Sequence, residues 1–123
     1  MEITRSTPQG RQVIQKYGAG GFTVSGARYS GPILVLPSST SAWQASQLSD
    51  IDAVALASAL RAAQVSLCII GCGARTEPVP VALRAALKDA GVSVDAMETG
   101  AACRTYNMLA GEGRSVAVAL IPY

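Results

Sequence analysis

The chain has 123 residues, half of them hydrophobic and 15% charged, with a formal net charge of +2. That is core material for one domain; it excludes a disordered chain and leaves too little for two well-cored units. There is no histidine, which excludes Ser-His-Asp triads, Cys-His dyads, histidine general bases and the commonest zinc sites.

Other classes fall away on the same grounds. The arginines at 5, 11, 28, 61, 75, 84, 104 and 114 are spread without a run, so the basic stripe of a nucleic-acid binder is missing and no nucleic-acid partner is expected. The longest strongly apolar stretch, Val65 to Ile70, is far short of the roughly 20 residues of a membrane helix. Met1-Glu2-Ile3-Thr4-Arg5 is acidic at its second position and has no apolar segment, unlike a signal peptide. Cysteines 68, 72 and 103 are odd in number and lack CxxC spacing, which fits neither a disulfide framework nor a structural zinc site. A cytoplasmic location without metal or cofactor is the expectation.

In chain order, residues 1–10 read as a flexible arm and 11–123 as a single domain. Gln12 to Tyr17 and Phe22 to Ser25 read as strands, the second alternating apolar and polar, with the Gly18-Ala19-Gly20-Gly21 cluster as a hairpin connection. Gly26 to Pro32 reads as a turn region. Ile33 to Leu36, Val65 to Ile70 and Val116 to Ile121 are continuously apolar, as in strands buried on both faces; Val92 to Met97 is a further strand.

Three helices fall between these strands. The first opens with a capping-box-like Ser49-x-x-Asp52 and buries Leu56 and Leu60. The second begins near Pro80, aligns Leu83 with Leu87 and stops at Gly91. The third follows Thr99-Gly100 and runs from Ala101 to Ala110. Strands alternating with helices predict a three-layer α/β fold: a mixed, largely parallel central sheet covered by helices, with an added N-terminal β-hairpin layer.

Two glycine-rich stretches invite a nucleotide reading and fail it. Gly71-Cys72-Gly73 follows a strand, but Ala74-Arg75-Thr76-Glu77-Pro78 supplies neither a third glycine nor an immediate helix. Gly18-Ala19-Gly20 precedes a strand, and no Walker A pattern occurs.

The better constellation is geometric. Parallel strands ending at Ile70 and Met97 would open on one sheet edge, where α/β folds bind ligands. Gly71, Cys72, Gly73 and Arg75 would then face Thr99, Gly100, Cys103, Arg104 and Asn107. Helix-start amides and the Arg104 fork suit a carboxylate or phosphate. In the structural alternative Thr99 is only an N-cap and the alanines only pack. Cys72 and Cys103 are either a reactive pair, the helix N-terminus favouring a thiolate, or small buried hydrophobes. Cys103 and Asn107 share one face of the third helix, from which Asn107 can bond a loop or a ligand. Tyr106 and Ala102 face the core, and Trp43 reads as a packing anchor ahead of a binding aromatic.

Taken together, Tyr17-Gly18-Ala19-Gly20-Gly21-Phe22, Ile33-Leu34-Val35-Leu36-Pro37, Trp43, Ile69-Ile70-Gly71-Cys72-Gly73 and Pro80-Val81-Ala82-Leu83-Arg84 form an ordered signature. So do Met97-Glu98-Thr99-Gly100-Ala101-Ala102-Cys103-Arg104-Thr105-Tyr106-Asn107 and Gly111-Glu112-Gly113-Arg114. The order resembles a family of small uncharacterised bacterial and archaeal α/β domains that also contains a mitochondrial respiratory complex I assembly factor. The resemblance spans nearly all of residues 11–122. It implies the same three-layer fold and supplies no catalytic residue to carry over. Many relatives have Thr in place of Cys72, which weakens a thiol role there.

The expectation is therefore a non-enzymatic domain that binds a protein partner, assembly-factor-like by resemblance. The alternative is a small-molecule or anion-binding domain, with an enzyme as one form of it, using the edge between 71–75 and 99–107. A third reading is redox sensing by Cys72 and Cys103.

Overall fold

The computed structural model describes residues 11–123; the arm expected over 1–10 lies outside them. Strands β1 (Ile14–Gly18), β2 (Gly21–Val24) and β3 (Ala27–Ser30) form an antiparallel sheet in that order. Two tight turns make it. Ala19 and Gly20 (φ 53° and 76°) and Ser25 and Gly26 (φ 47° and 88°) are paired left-handed residues, the geometry whose twist suits two-residue hairpins. The N-terminal layer is thus a three-stranded meander, where the sequence suggested two strands and a turn. Ala27-Arg28-Tyr29-Ser30 is largely exposed, so it carries too weak an apolar alternation to be read as a strand.

The second sheet contains β4 (Ile33–Leu36), β5 (Ser39–Ala42), β6 (Leu67–Gly71), β7 (Ser93–Met97) and β8 (Val116–Leu120) in the order β5-β4-β8-β6-β7. β6 pairs in parallel with β7 and β8, while β4 is antiparallel to β8 and to β5. Four of these strands therefore run one way and β4 runs against them. β5 is a polar edge strand in a segment read as a Ser-rich loop; an exposed edge buries nothing, so its pattern is silent.

Helices α1 (Ala53–Ala62), α2 (Val81–Asp89) and α3 (Thr99–Gly111) cover the sheet. Leu56 and Leu60 of α1 and Leu83 and Leu87 of α2 are buried with Leu34, Cys68, Ile70, Ala117 and Ala119 on one face. On the other face α3 and the meander share a core: Ile14, Phe22 and Val24 meet Ala102, Cys103 and Tyr106 over Ile33, Val35, Ile69 and Val118. The alternation of β4 and β6 residues between the two cores is the period-2 signature of a sheet buried on both sides.

Two helix starts differ from expectation. Asp52 caps α1, its Oδ1 accepting from Ala55 N at 3.1 Å, whereas Ser49 lies within a 3-10 turn, Leu48–Asp50. Glu98 caps α3 through its side chain, so Thr99 is a helical residue and not the cap. That shift of one residue frees Thr99 for another task.

Candidate functional site

β6 and β7 are parallel neighbours, so the 71–73 loop and the start of α3 meet at one sheet edge, as the spacing predicted. They meet by closing on each other. Thr99 N donates to Gly73 O at 2.9 Å and Cys72 N to Met97 O at 2.8 Å. Thr99 Oγ1 accepts from Gly73 N at 2.8 Å and donates to Ile121 O. Ile121 N donates to Gly71 O at 3.0 Å. Thr99 is 1% exposed, the one buried polar side chain of the described core; both its hydrogen-bonding roles are filled, which is what lets it be buried.

The glycines make the approach possible. A Cβ on Gly71 would sit 2.8 Å from Leu120 Cδ2 and 3.1 Å from Thr99 Cα. Gly73 has φ +94°, a conformation that side chains oppose. On the helix, a Cβ on Gly100 would stand 2.9 Å from the Tyr17 hydroxyl. Gly71 and Gly100 thus admit neighbours, and Gly73 turns the chain.

Arg104 and the Thr99, Ala101 and Ala102 amides at the start of α3 are partnered within the chain. The Glu98 carboxylate accepts from Ala101 N at the helix start, where the dipole favours an anion. Its Oε1 lies 3.8 Å from Arg104 Nη2, and Arg104 Nη1 donates to Tyr17 Oη at 3.0 Å. Tyr123 Oη donates to Glu98 Oε2 at 3.4 Å. Glu98 supplies the anion that the sequence reading looked for in a ligand. Arg75 lies on the exposed stretch after the loop, outside this hydrogen-bonded cluster.

Asn107 is a clip for the meander. Its Nδ2 donates to Ile14 O at 2.7 Å and its Oδ1 accepts from Ile14 N at 2.9 Å, imitating a strand partner for β1. Tyr106, fully buried as expected, donates to Gln12 O at 3.0 Å. The Thr-Tyr-Asn part of the signature is therefore a fastening device for loop, strand end and meander.

The cysteines are separated by the sheet. Cys72 belongs to the core under α1 and α2, Cys103 to the core under α3, and all three cysteines are free. Burial pushes the Cys103 thiol from 9.0 up to about 12, outweighing the Arg104 cation beside it, while Glu98 adds to the rise. Burial also raises Cys72, and it takes Cys68 to about 12. The thiolate alternative that a helix N-terminus would favour is opposed at Cys103 by desolvation, which fits the small buried hydrophobe. Among the described residues no group of three or more His, Cys, Asp or Glu is placed to hold a metal ion.

What remains available is the outer face. Arg104 and Met108 are one helical turn apart on α3, and Met108 is 57% exposed. Tyr17, at 40%, adjoins Arg104, and Tyr123, at 55%, adjoins Glu98. Sequence reasoning missed Tyr17, Glu98 and Tyr123 as site residues. Glutamate is not among the favoured N-caps, and the Tyr17–Arg104 pair is 87 residues apart with no local signal.

A family model described as a protein of unknown function (DUF498/DUF598) matches residues 14–121. The chain is 37% identical over 111 residues to NADH dehydrogenase (ubiquinone) 1 alpha subcomplex assembly factor 3 of Danio rerio, covering 89% of this chain and 64% of that protein. It therefore spans less than two thirds of that relative's length. It is also 37% identical over 109 residues to an uncharacterised protein of Rhodobacter capsulatus, covering 89% of this chain and 83% of the other. It superposes with a TM-score of 0.83, at 32% identity, on a crystal structure described as an outer membrane protein from Bartonella henselae, covering 92% of this chain and 96% of that one. No helix among the described residues is long and apolar enough to cross a membrane.

Proposed function

This chain belongs to the DUF498/DUF598 family of proteins of unknown function, and on that premise we propose that it is a non-enzymatic domain that binds a protein partner during assembly of a respiratory complex. One observation carries the reading: Arg104 and Met108 lie exposed along the outer face of α3, with exposed Tyr17 beside Arg104 and exposed Tyr123 beside Glu98 at the helix start. Tyrosine, arginine and methionine are enriched in protein interfaces, and tyrosine and arginine often dominate their energetics. Here they gather in a chain with only 5% aromatic residues. The assembly role belongs by name to the relative, and its partner class is carried over with it. A cytoplasmic site of action goes with three free, buried thiols, which persist in a reducing compartment.

A small anion at the same edge is the second reading. It would have to take Arg104 from Glu98, so it stands behind the first. The test uses the native host. Deleting the gene should lower assembled membrane NADH dehydrogenase on a native gel. Wild type should restore it, and a folded Tyr17→Ala/Arg104→Glu variant should not. Normal assembly in the deletion strain would sink the reading. Stabilisation of the pure protein by phosphate or dicarboxylates, lost in Arg104→Ala, would move the anion reading ahead.

A further inference from the structure

The face of the sheet opposite α3 carries a groove of a different chemistry, about 380 Å³ in volume. It opens where the chain leaves edge strand β5 and runs through the 3-10 turn into α1. Buried Leu34 and Leu56 form its floor, Ile51 and Trp43 line its sides, and exposed Asp50 and Asp52 stand at its rim. No lysine or arginine lines it. The groove is therefore doubly acidic on a chain of net charge +2.

Three features point to its occupant. The apolar floor accepts aliphatic side chains, and the volume sits at the lower end of ligand pockets, which run to roughly 300–1,000 Å³. Asp52 has one carboxylate oxygen committed to the α1 cap, and Asp50 Oδ1 accepts from Gln47 Nε2 at 3.5 Å; both residues are exposed, so a cation can reach the second oxygen of each. Trp43 lines the same groove, and an indole ring attracts a cation over its face.

We propose that the groove between Trp43 and the start of α1 binds a short extended segment of a partner protein carrying arginine or lysine beside an aliphatic residue. The aliphatic side chain rests on Leu34 and Leu56. The basic side chain lays its stem along Trp43 and its charge on Asp50 and Asp52, joining snorkelling, cation–π and charge pairing in one contact. The site stands on this groove alone and does not require the α3 face to bind anything.

Trp43 is the only tryptophan, so its fluorescence reads the groove directly. The probes are an acetylated, amidated Leu-Arg-Leu-Arg peptide, its Leu-Glu-Leu-Glu counterpart, and spermidine. A saturable, salt-sensitive change with the arginine peptide alone is expected. Asp50→Asn/Asp52→Ser, in which serine keeps the α1 cap, should bind about tenfold more weakly, the loss that 1.4 kcal/mol represents. Ala55→Lys, which sets a cation of the chain's own at the exposed rim, should abolish the change. Tyr17→Ala/Arg104→Glu should leave it untouched, so failure of the α3 reading and of this one are separable. The proposal is overturned by no saturable change in wild type, an equal response to the glutamate peptide, or undiminished binding in both groove variants. An equal response to spermidine overturns the commitment to a peptide.

Discussion

The two sides of α3 carry out opposite tasks. Its inner side holds Thr99, Cys103, Tyr106 and Asn107, buried or half-buried: Thr99 bonds Gly73 and Ile121, Tyr106 bonds Gln12, Asn107 bonds Ile14, and Cys103 packs in the core. Its outer side holds Arg104 and Met108, exposed, with Tyr17 alongside. The most distinctive stretch of the sequence, Thr99 to Asn107, is distinctive largely because of the inner side. A signature that looks like a site can instead be the set of hydrogen bonds that a small three-layer fold needs to pin its outer sheet. The residues left for recognition are then those that the fold does not use.

The comparison can be broken at several points. The largest effect should come from Tyr106→Ala, which empties a fully buried aromatic site between the meander and the sheet. Such truncations cost about 3–5 kcal/mol, and urea unfolding should show that loss; a cost under about 1 kcal/mol would mean the inner core is loosely packed. Thr99→Val keeps the shape but orphans Gly73 N and Ile121 O, both buried partners. At about 1–3 kcal/mol for each unsatisfied group, the midpoint should fall clearly, and an unchanged midpoint would show that the closed sheet edge is not holding α3.

A smaller effect comes from the thiols. Cys103 and Cys68 are held neutral in the folded state, their pKa raised from 9.0 to about 12. In the unfolded chain they ionise from about pH 9. Their contribution is therefore complete below pH 9 and is lost as pH rises toward 12. Unfolding free energy should drop between pH 9 and pH 11, and Cys103→Ala should reduce that drop. The same drop in both proteins would remove Cys103 from the account.

Much of this architecture is legible in the chain. Ile33 to Leu36, Val65 to Ile70 and Val116 to Ile121 read as doubly buried strands because burial on both faces leaves no polar alternation. Leu56, Leu60, Leu83 and Leu87 mark their helix faces by spacing alone. β3 and β5 were illegible because exposed polar strands bury nothing that could leave a pattern. The edge between 71–73 and 99–107 was legible as a place, since parallel strands must end together. Its content was not, because Glu98 is an unusual cap, and one residue's difference in the helix start turns Thr99 from a cap into a cross-link. The contacts of Tyr17 with Arg104 and of Asn107 with Ile14 join distant parts of the chain, and local pattern cannot encode them.

The most direct test of the central contrast is equilibrium unfolding of Asn107→Ala and Arg104→Ala side by side. Asn107→Ala strips Ile14 of both its backbone partners and should cost about 2 kcal/mol or more. Arg104→Ala removes an exposed 3.8 Å ion pair and an exposed hydrogen bond to Tyr17 and should stay within about 0.5 kcal/mol of wild type. A large loss at Arg104 with little at Asn107 would contradict the division of α3 into a fastening side and a free one.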